Sequence, residues 1–267
     1  MAINCGNTLK IATWNVNSLK VRLPQVLDWL DQSDCDVLAL QETKTEDQHF
    51  PLDAIQAAGF DSVYIGQKTY NGVAIIAKHG IPLKDVVYGV PGFDDPQQRV
   101  IAATVNNVRV IDLYVVNGAE VGSEKFDYKL RWLEQVTAYI AKARQDYEHV
   151  VVLGDFNIAP ADADVHDPEE WRGKILFSEQ EHAALDKIKA LGFSDVFRQF
   201  DQPEQLFSWW DYRAAGFRRN RGLRIDLILA STALAEHCKA CEIDKTPRGW
   251  ERPSDHTPVW AQFELAD

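Results

Sequence analysis

Short polar clusters end several apolar segments of the sequence, and functional sites are usually built on loops at such strand ends. Their carboxylate and amide oxygens are hard ligands suited to Mg²⁺ or Mn²⁺. A carboxylate beside an amide can also take a proton from water while the amide stabilises an oxyanion. The residues concerned are Asn15, Glu42, Asp155, Asn157, Asp226, Asp255 and His256.

Glu42 and Asn15 have the side chains of cation ligands. Glu42 follows the apolar run Asp36–Gln41, and a carboxylate at the end of a buried strand is costly to desolvate unless it meets a cation. Asn15 offers an amide oxygen after the first apolar run. Taken alone, Glu42 is equally an exposed loop residue and Asn15 a turn or capping residue.

Asp155 and Asn157 stand on either side of Phe156 after the run Val150–Leu153, so an extended chain would project both to one side. There the carboxylate can accept a proton and the amide can donate a hydrogen bond. An Asx turn before Pro160 is the alternative interpretation.

Asp255 and His256 place a carboxylate beside an imidazole. Asp226, from a neighbouring strand, would be able to hold that imidazole in one tautomer. The alternative is that an isolated Asp-His pair arises by composition alone. The joint occurrence of these clusters along one chain is therefore more informative than any single one.

Apolar runs rich in Val, Ile and Leu predict strands along the whole chain, with helices between them. Asn106 and Asn107 tolerate positive φ and predict a two-residue antiparallel hairpin. Ser178 with Glu181 predicts a capping-box start for a helix that Gly192 ends. Hairpins and interleaved helices favour packed mixed sheets flanked by helices in one domain over a doubly wound parallel sheet. The predicted strands are Leu9–Val16, Asp36–Gln41, Gly72–Lys78, Val100–Val105, Val108–Val116, Val150–Asp155, Arg224–Ala230 and Val259–Leu265, and the helices are Pro24–Gln32, Ser123–Asp146 and Ser178–Leu191.

The net charge of −12, from 28 Lys+Arg and 40 Asp+Glu, disfavours a generic basic nucleic-acid binder. No apolar run has the length of a signal peptide or a transmembrane helix, so we expect a cytoplasmic protein without membrane contact. The 4 cysteines predict reduced thiols rather than a disulfide scaffold. Cys238 and Cys241 lack a second pair of zinc ligands, and we interpret them as two thiols near the end of a helix.

The order of the polar clusters resembles that of the exonuclease III family of bacterial apurinic/apyrimidinic endonucleases, in the endonuclease/exonuclease/phosphatase superfamily. The resemblance covers Leu9–Leu265 of a single domain over residues 9–267, with Met1–Thr8 as an additional tail. It implies a four-layered α/β sandwich of the deoxyribonuclease I type, in which two mixed sheets pack face to face, helices cover the outside and the active site lies at one rim. The matching stretches are Thr13–Leu19, Leu40–Lys44, Gly154–Pro160, Phe207–Arg213, Gly222–Asp226 and Pro253–His256.

The resemblance implies a Mg²⁺ or Mn²⁺ cofactor held against a phosphate. Asn15 and Glu42 resemble metal ligands, and Asp255 resembles a further contributor. Asp155, Asn157 and His256 are expected around the same ion.

The resemblance also implies catalytic roles. Asp155 resembles the residue that orients or deprotonates the attacking water, while Asn157 and Tyr114 resemble donors to the phosphorane-like state. Asp226 is expected to pair with His256, which is either a general base or a phosphate-binding cation.

The segment Phe207–Arg224 resembles the family's DNA-contacting surface, because it combines aromatics with five arginines. Trp209 and Trp210 resemble the aromatics that line a pocket for an abasic sugar, although a core Trp pair is the simpler interpretation in an unrelated chain. The expected DNA contacts are Arg213, Arg218, Arg219, Arg221 and Arg224, together with Arg99, Asn117 and Lys125 from other loops.

The implied function is a metal-dependent DNA-repair phosphodiesterase on double-stranded DNA with abasic sites, nicks or 3′ ends, acting as a monomer. The expected activities are 3′ to 5′ exonuclease, 3′-end cleaning and abasic-site endonuclease. The acidic loop 161–173, ADADVHDPEEWRG, leaves their balance open. One alternative is a lipid or inositol phosphate phosphoesterase of the superfamily, which the arginine-rich Trp-Trp segment disfavours. Another is an inactive nucleic-acid-binding regulator, which the full set of catalytic residues disfavours.

Overall fold

The computed structural model describes residues 7–265, and the strands in this range form two six-stranded sheets and a small ribbon. In spatial order, the first sheet contains β13 (Cys238–Ile243), β14 (Val259–Leu265), β1 (Asn7–Asn15), β2 (Val37–Gln41), β4 (Val73–Lys78) and β3 (Phe60–Ile65). The second contains β5 (Lys84–Tyr88), β6 (Val100–Val105), β7 (Val108–Tyr114), β8 (His149–Asp155), β12 (Asp226–Ser231) and β9 (Phe193–Asp195). The ribbon pairs β10 (Trp209–Trp210) with β11 (Gly222–Leu223).

Each large sheet is mixed. β1 and β2 are parallel in the first sheet, β7 and β8 are parallel in the second, and the other pairings are antiparallel. The helices are α1 (Leu19–Ser33), α2 (Leu52–Ala57), α3 (Glu124–Asp146), α4 (Pro168–Trp171), α5 (Glu179–Lys189) and α6 (Thr232–Ala235).

Successive side chains of a strand point to opposite faces of the sheet, and this alternation places them in different layers of the fold. In β2, Val37 and Ala39 pack between the two sheets against residues of β7 and β8, whereas Leu38 and Leu40 pack against α1. Both faces of the strand are therefore buried, which explains its unbroken apolar run. Helices α3 and α5 cover the outer face of the second sheet in the same way. These layers confirm the expected four-layered α/β sandwich of two packed mixed sheets flanked by helices.

Two local predictions are confirmed. Asn106 and Asn107 have φ values of 46° and 63°, and β6 and β7 pair across them from Val105 and Val108. Positive φ at both central residues gives the turn the twist that an antiparallel hairpin needs. The capping box of Ser178 and Glu181 is also present at the start of α5.

Other boundaries differ from the predictions. Helix α1 begins at Leu19 rather than Pro24, and α5 ends at Lys189, before the left-handed Gly192. Cys238 and Cys241 lie in the strand β13 and pair with β14, and helix α6 ends shortly before them at Ala235, as the interpretation near a helix end predicted.

The predicted tail Met1–Thr8 is only partly within the described structure, since residues 1–6 lie outside it. Asn7 and Thr8 are part of β1 and pair with Leu265 and Glu264. The first strand therefore begins before Leu9.

None of the helices within residues 7–265 is both long enough and apolar enough to cross a membrane.

Candidate active site

Strand direction brings the polar clusters to one rim of the sandwich. In the first sheet, Asn15 is in register with Gln41 at the ends of the parallel strands β1 and β2, and Glu42 follows directly. In the second sheet, Tyr114 and Asp155 are in register at the ends of β7 and β8. The residues predicted from separate parts of the chain therefore occupy neighbouring strand ends.

Asp155 links the two sheets. One carboxylate oxygen accepts a hydrogen bond from Asn15 Nδ2 at 2.8 Å, and the other accepts one from the backbone N–H of Asn157 at 2.9 Å. The second contact is an Asx turn, as the alternative interpretation of this motif predicted, and the turn leaves Asp155 at the strand end on the rim. Burial raises the pKa of Asp155 to about 7, against the lowering effect of His256.

His256 lies between two carboxylates. Its Nδ1 is 2.8 Å from Asp226 Oδ2, and its Nε2 is 3.6 Å from Asp155 Oδ2. Burial lowers the pKa of His256, but the charges of Asp226 and Asp155 outweigh it and raise the pKa to about 10. The imidazole is therefore held as a cation at neutral pH, with Nδ1–H donating to Asp226.

Tyr114 and Glu42 join the sheets at a second point. The hydroxyl of Tyr114 donates to Glu42 Oε1 at 2.6 Å, and the guanidinium of Arg99 lies 4.6 Å from the centre of the tyrosine ring. Burial and the nearby Glu42 carboxylate raise the pKa of Tyr114 well above its usual value. The phenol therefore stays a neutral hydrogen-bond donor.

The two carboxamides Asn117 and Asn157 meet beside this pair. Asn117 Nδ2 donates to Asn157 Oδ1 at 3.2 Å, while Asn157 Nδ2 donates to the carbonyl of Val115 at 2.9 Å. Glu42, Tyr114 and Asn117 line one groove of about 390 Å³. The same groove is lined by Gln67, Tyr70, Asn71, Gln97, Arg99, Val116, Gly118, Ala119, Lys125 and Tyr128.

Three of the expected DNA contacts, Arg99, Asn117 and Lys125, therefore share a groove with the catalytic candidates. Sequence reasoning missed Tyr70, which is 67% exposed on the same wall. The sequence signal was an aromatic residue between two polar residues, Thr69 and Asn71. In the structure both of these polar residues have positive φ, as residues of a turn often do.

Asp255 lies on the same rim, where it fixes Trp209. Its Oδ1 accepts from Asn17 Nδ2 at 3.0 Å and its Oδ2 accepts from Trp209 Nε1 at 2.9 Å. Lys44 donates to Asn17 Oδ1 at 2.7 Å. Asn17 and Lys44 were not singled out from the sequence, because their importance depends on tertiary contacts.

Two expected DNA contacts are corrected by their burial. Trp210 has no exposed surface and donates through Nε1 to Asn220, so it belongs to the core and does not line a sugar pocket. Arg224 is 1% exposed, and its guanidinium bonds the carboxylates of Asp164 and Asp195. These ion pairs exclude Arg224 from contact with DNA in this fold.

The remaining arginines of Phe207–Arg224 differ in availability. Arg213 pairs with Asp211, and Arg221 pairs with Glu170. Within the described chain, Arg218 and Arg219 are exposed and form no ion pair. The free positive charge of this segment is therefore limited to these two residues.

Asp155, Asp226 and His256 offer potential metal-ligand atoms within 4.8 Å of one another. The imidazole in this group is already bonded to Asp226 through Nδ1, and a metal binds only a deprotonated ring nitrogen. Glu42 and Asn15, with a carboxylate and an amide oxygen, form the harder donor set on the first sheet.

Comparison with known proteins agrees with this geometry. Residues 12–256 match the endonuclease/exonuclease/phosphatase family. Exodeoxyribonuclease III from Haemophilus influenzae is 34% identical over 269 residues, which cover 96% of this chain and 100% of that protein.

Two solved structures are also similar to this chain. A 3′ phosphatase from Neisseria, NExo, bound to a product DNA hairpin, superimposes with a TM-score of 0.94 at 48% identity and covers 96% of this chain and 100% of its own. An AP endonuclease from Archaeoglobus fulgidus gives a TM-score of 0.91 at 39% identity, with coverage of 96% and 100%. The chain belongs to the endonuclease/exonuclease/phosphatase family, as a hydrolase of the exodeoxyribonuclease III type.

Proposed function

We propose that this chain hydrolyses phosphoester bonds at 3′ ends in double-stranded DNA, as a 3′ phosphatase and 3′ to 5′ exonuclease. The observation that carries the proposal is the pairing of a carboxylate, Asp155, with a cationic imidazole, His256, on the rim that also carries the Glu42–Tyr114 groove. The similarity to a DNA-bound 3′ phosphatase and to exodeoxyribonuclease III supports DNA as the substrate.

Asp155 is the candidate base for the attacking water. Its pKa is raised close to neutrality by burial, and a base is most effective when its pKa lies near the working pH. The bonds from Asn15 and from the Asn157 backbone hold the carboxylate in one orientation. A water that donates to this carboxylate is thereby both oriented and made more nucleophilic.

His256 is the candidate cation for the phosphate, the second of the two roles that the resemblance implies for it. Asp226 holds Nδ1, so Nε2–H is the proton that faces the rim. An imidazole whose pKa is raised to about 10 is a weak base but a good donor to phosphoryl oxygens. Asn157 keeps a second Nδ2–H beyond the one that bonds Val115, and Tyr114 would become a neutral donor to the phosphate by turning its hydroxyl away from Glu42.

Mg²⁺ or Mn²⁺ is the cofactor that we propose, and its oxygen ligands would come from Glu42 and Asn15. Glu42 uses one carboxylate oxygen for the Tyr114 hydroxyl, and Asn15 supplies a hard amide oxygen. When bound, such an ion neutralises charge on the phosphoryl group and on the leaving oxygen.

Abasic-site cleavage is the second candidate activity, and the similar Archaeoglobus protein is an AP endonuclease. A pocket for a flipped abasic sugar was expected to have two aromatic walls. Trp209 is half-buried at the rim, but Trp210 is fully buried in the core. The loss of one wall favours 3′-end chemistry over abasic-site cleavage.

The test uses end-labelled duplexes that carry a 3′ phosphate at a nick, a recessed 3′ end or an abasic site. With Mg²⁺ or Mn²⁺ we expect phosphate release and exonucleolytic shortening, slower abasic-site incision, and loss of all three activities in EDTA. An inositol polyphosphate substrate serves as the negative control. A folded protein that leaves every duplex intact with either metal would contradict the proposal.

The cytoplasmic location and the monomeric state stay predictions. Size-exclusion chromatography with light scattering, with and without duplex DNA, measures the second directly.

A further inference from the structure

A buried ion pair lies directly behind the two carboxamides of the site. Lys129 on α3 and Glu181 on α5 have fully buried side chains, and Lys129 Nζ donates to Glu181 Oε1. Glu181 also accepts from the backbone N–H groups of Leu176 and Ser178, each at 3.0 Å. The backbone at the start of its own helix therefore fixes this carboxylate independently of Lys129.

The remaining protons of the Lys129 ammonium reach the site. Nζ donates to the backbone carbonyl of Asn157 at 2.7 Å and to that of Asn117 at 3.2 Å. An ammonium has three donors and no acceptor, so these contacts and Glu181 use all of its protons. The two carbonyls belong to the residues whose side-chain amides bond each other, and of these two residues Asn117 lines the groove.

The chain around Lys129 leaves little freedom for movement. A Cβ atom at Gly118 would lie 3.1 Å from Lys129 Cδ, and Gly118 has a φ of +91°. Asn157 also has positive φ, at 47°. The loop after β7 and the loop after β8 are therefore both fitted closely around this one side chain.

A buried charge is an expensive way to hold two helices together, since an apolar pair of similar volume packs them without the cost of desolvation. An apolar residue would be unable to donate to the two backbone carbonyls. These two hydrogen bonds, rather than the packing of the helices, account for a charged residue at this position.

We propose that Lys129 is a positioning residue for phosphate hydrolysis: it sets the backbone of Asn117 and Asn157 so that their side-chain amides meet beside the groove, and Glu181 holds it there. This inference rests on the proposed function of Asn157 as a donor to the phosphate. Lys129 itself contacts neither substrate nor metal.

The activity test compares the double variant Lys129→Met/Glu181→Gln, which leaves no unpaired buried charge, with Lys142→Met/Asp146→Asn. The control removes the exposed ion pair of the same helix α3. We expect kcat on the 3′-phosphate duplex to fall about 10- to 100-fold in the first variant and to stay unchanged in the control. KM for DNA should change little, because the lost alignment concerns the transition state.

Lys129→Arg is the conservative variant, and it should recover most of the rate because a guanidinium can serve several acceptors at once. A folded double variant with wild-type kcat would overturn the proposal. An equal loss of rate in both double variants would also overturn it. If the double variant does not fold, Lys129→Gln/Glu181→Gln, in which the amide at 129 reaches fewer acceptors and no buried charge is unpaired, replaces it in the same comparison.

A second readout does not depend on activity. In ¹H–¹⁵N spectra, the side-chain amide resonances of Asn117 and Asn157 should shift in the Lys129 variants and stay in place in the Lys142 control. Unchanged resonances would refute the positioning role. If the wild type cleaves no DNA but these resonances shift, the positioning stands while the proposed function fails.

Discussion

Asp155 shows how one residue can be both structural and reactive. Burial raises its pKa, whereas the hydrogen bond from Asn15 and the charge of His256 lower it. The net result is a carboxylate that exchanges its proton near neutral pH while its orientation stays fixed by two hydrogen bonds. Orientation and basicity thus have separate causes, and variants can change them separately.

The substitution Asp155→Asn keeps the shape of the side chain but removes its ability to accept a proton from water. We expect kcat for 3′-phosphate release to fall by about 10² to 10⁴-fold, the usual contribution of a general base. DNA affinity, measured by fluorescence anisotropy, should be retained. Asp186→Asn, at an exposed position on α5, is the matched control and should leave both quantities unchanged.

The substitution Asp226→Asn removes the charge that contributes most to raising the pKa of His256. The imidazole should then lose its proton at lower pH, so the alkaline limb of the kcat/KM profile should move toward neutrality. The measurement is a pH–rate profile from neutral to strongly alkaline pH. An alkaline limb that stays where the wild type has it would argue against a cationic role for His256.

At the scale of elements, Arg224 joins the loop 161–173 to the second sheet. Its guanidinium bonds Asp164, in the short turn at the start of that loop, and Asp195, at the end of β9. Arg198 also pairs with Asp164. The acidic composition of the loop is thus partly neutralised from inside the protein, and Arg224 acts as an anchor for it.

The substitution Arg224→Met would leave the buried carboxylates of Asp164 and Asp195 without their main partner. We expect the free energy of unfolding to fall by about 3–5 kcal/mol, as when one member of a buried ion pair is removed. Urea unfolding followed by circular dichroism measures this, with the exposed Arg218→Met as the control. Full stability together with lost DNA binding would instead restore Arg224 as a DNA contact.

The sequence predicted elements best where the signal is local. The Asn106–Asn107 turn and the Ser178 capping box depend on neighbouring residues, and both are present. The roles of Trp210 and Arg224 were wrong because burial is set by what packs on a side chain from elsewhere in the chain. No spacing in the sequence shows that Asp164 and Asp195 surround an arginine.

The same limit applies to the site. Motif order predicted which residues share the rim, since strand ends are readable from the sequence. The bond between Tyr114 and Glu42 and the bond between Asn15 and Asp155 each connect different sheets. They depend on the relative placement of the sheets, which periodicity within either sheet does not fix.

For the whole molecule, the net charge of −12 opposes contact with a polyanion, so DNA binding requires a local region of positive charge. The ion pairs of Arg213, Arg221 and Arg224 reduce the apparent basic segment to Arg218 and Arg219. Groove residues Arg99 and Lys125 supply positive charge on the other side of the site. DNA should therefore be held by a few separated contacts.

The double substitution Arg218→Ala/Arg219→Ala tests this arrangement. If both residues contact phosphates, the slope of log affinity against log salt should become shallower by about 2, at roughly 0.9 for each contact. The thermal midpoint should not change, because both side chains are exposed. Arg213→Ala, which breaks only an exposed ion pair with Asp211, is the control with a smaller expected effect.

The pairing of β14 between β13 and β1 has a consequence for the order in which the site forms during folding. β1 and β14 are far apart along the sequence, yet they are hydrogen-bonded neighbours, and His256 lies just before β14. Contacts so distant in sequence form late and slowly. The contacts of His256 with Asp155 and Asp226 should therefore be among the last to form as the chain folds, so a partly folded chain lacks the paired carboxylate and imidazole of the site.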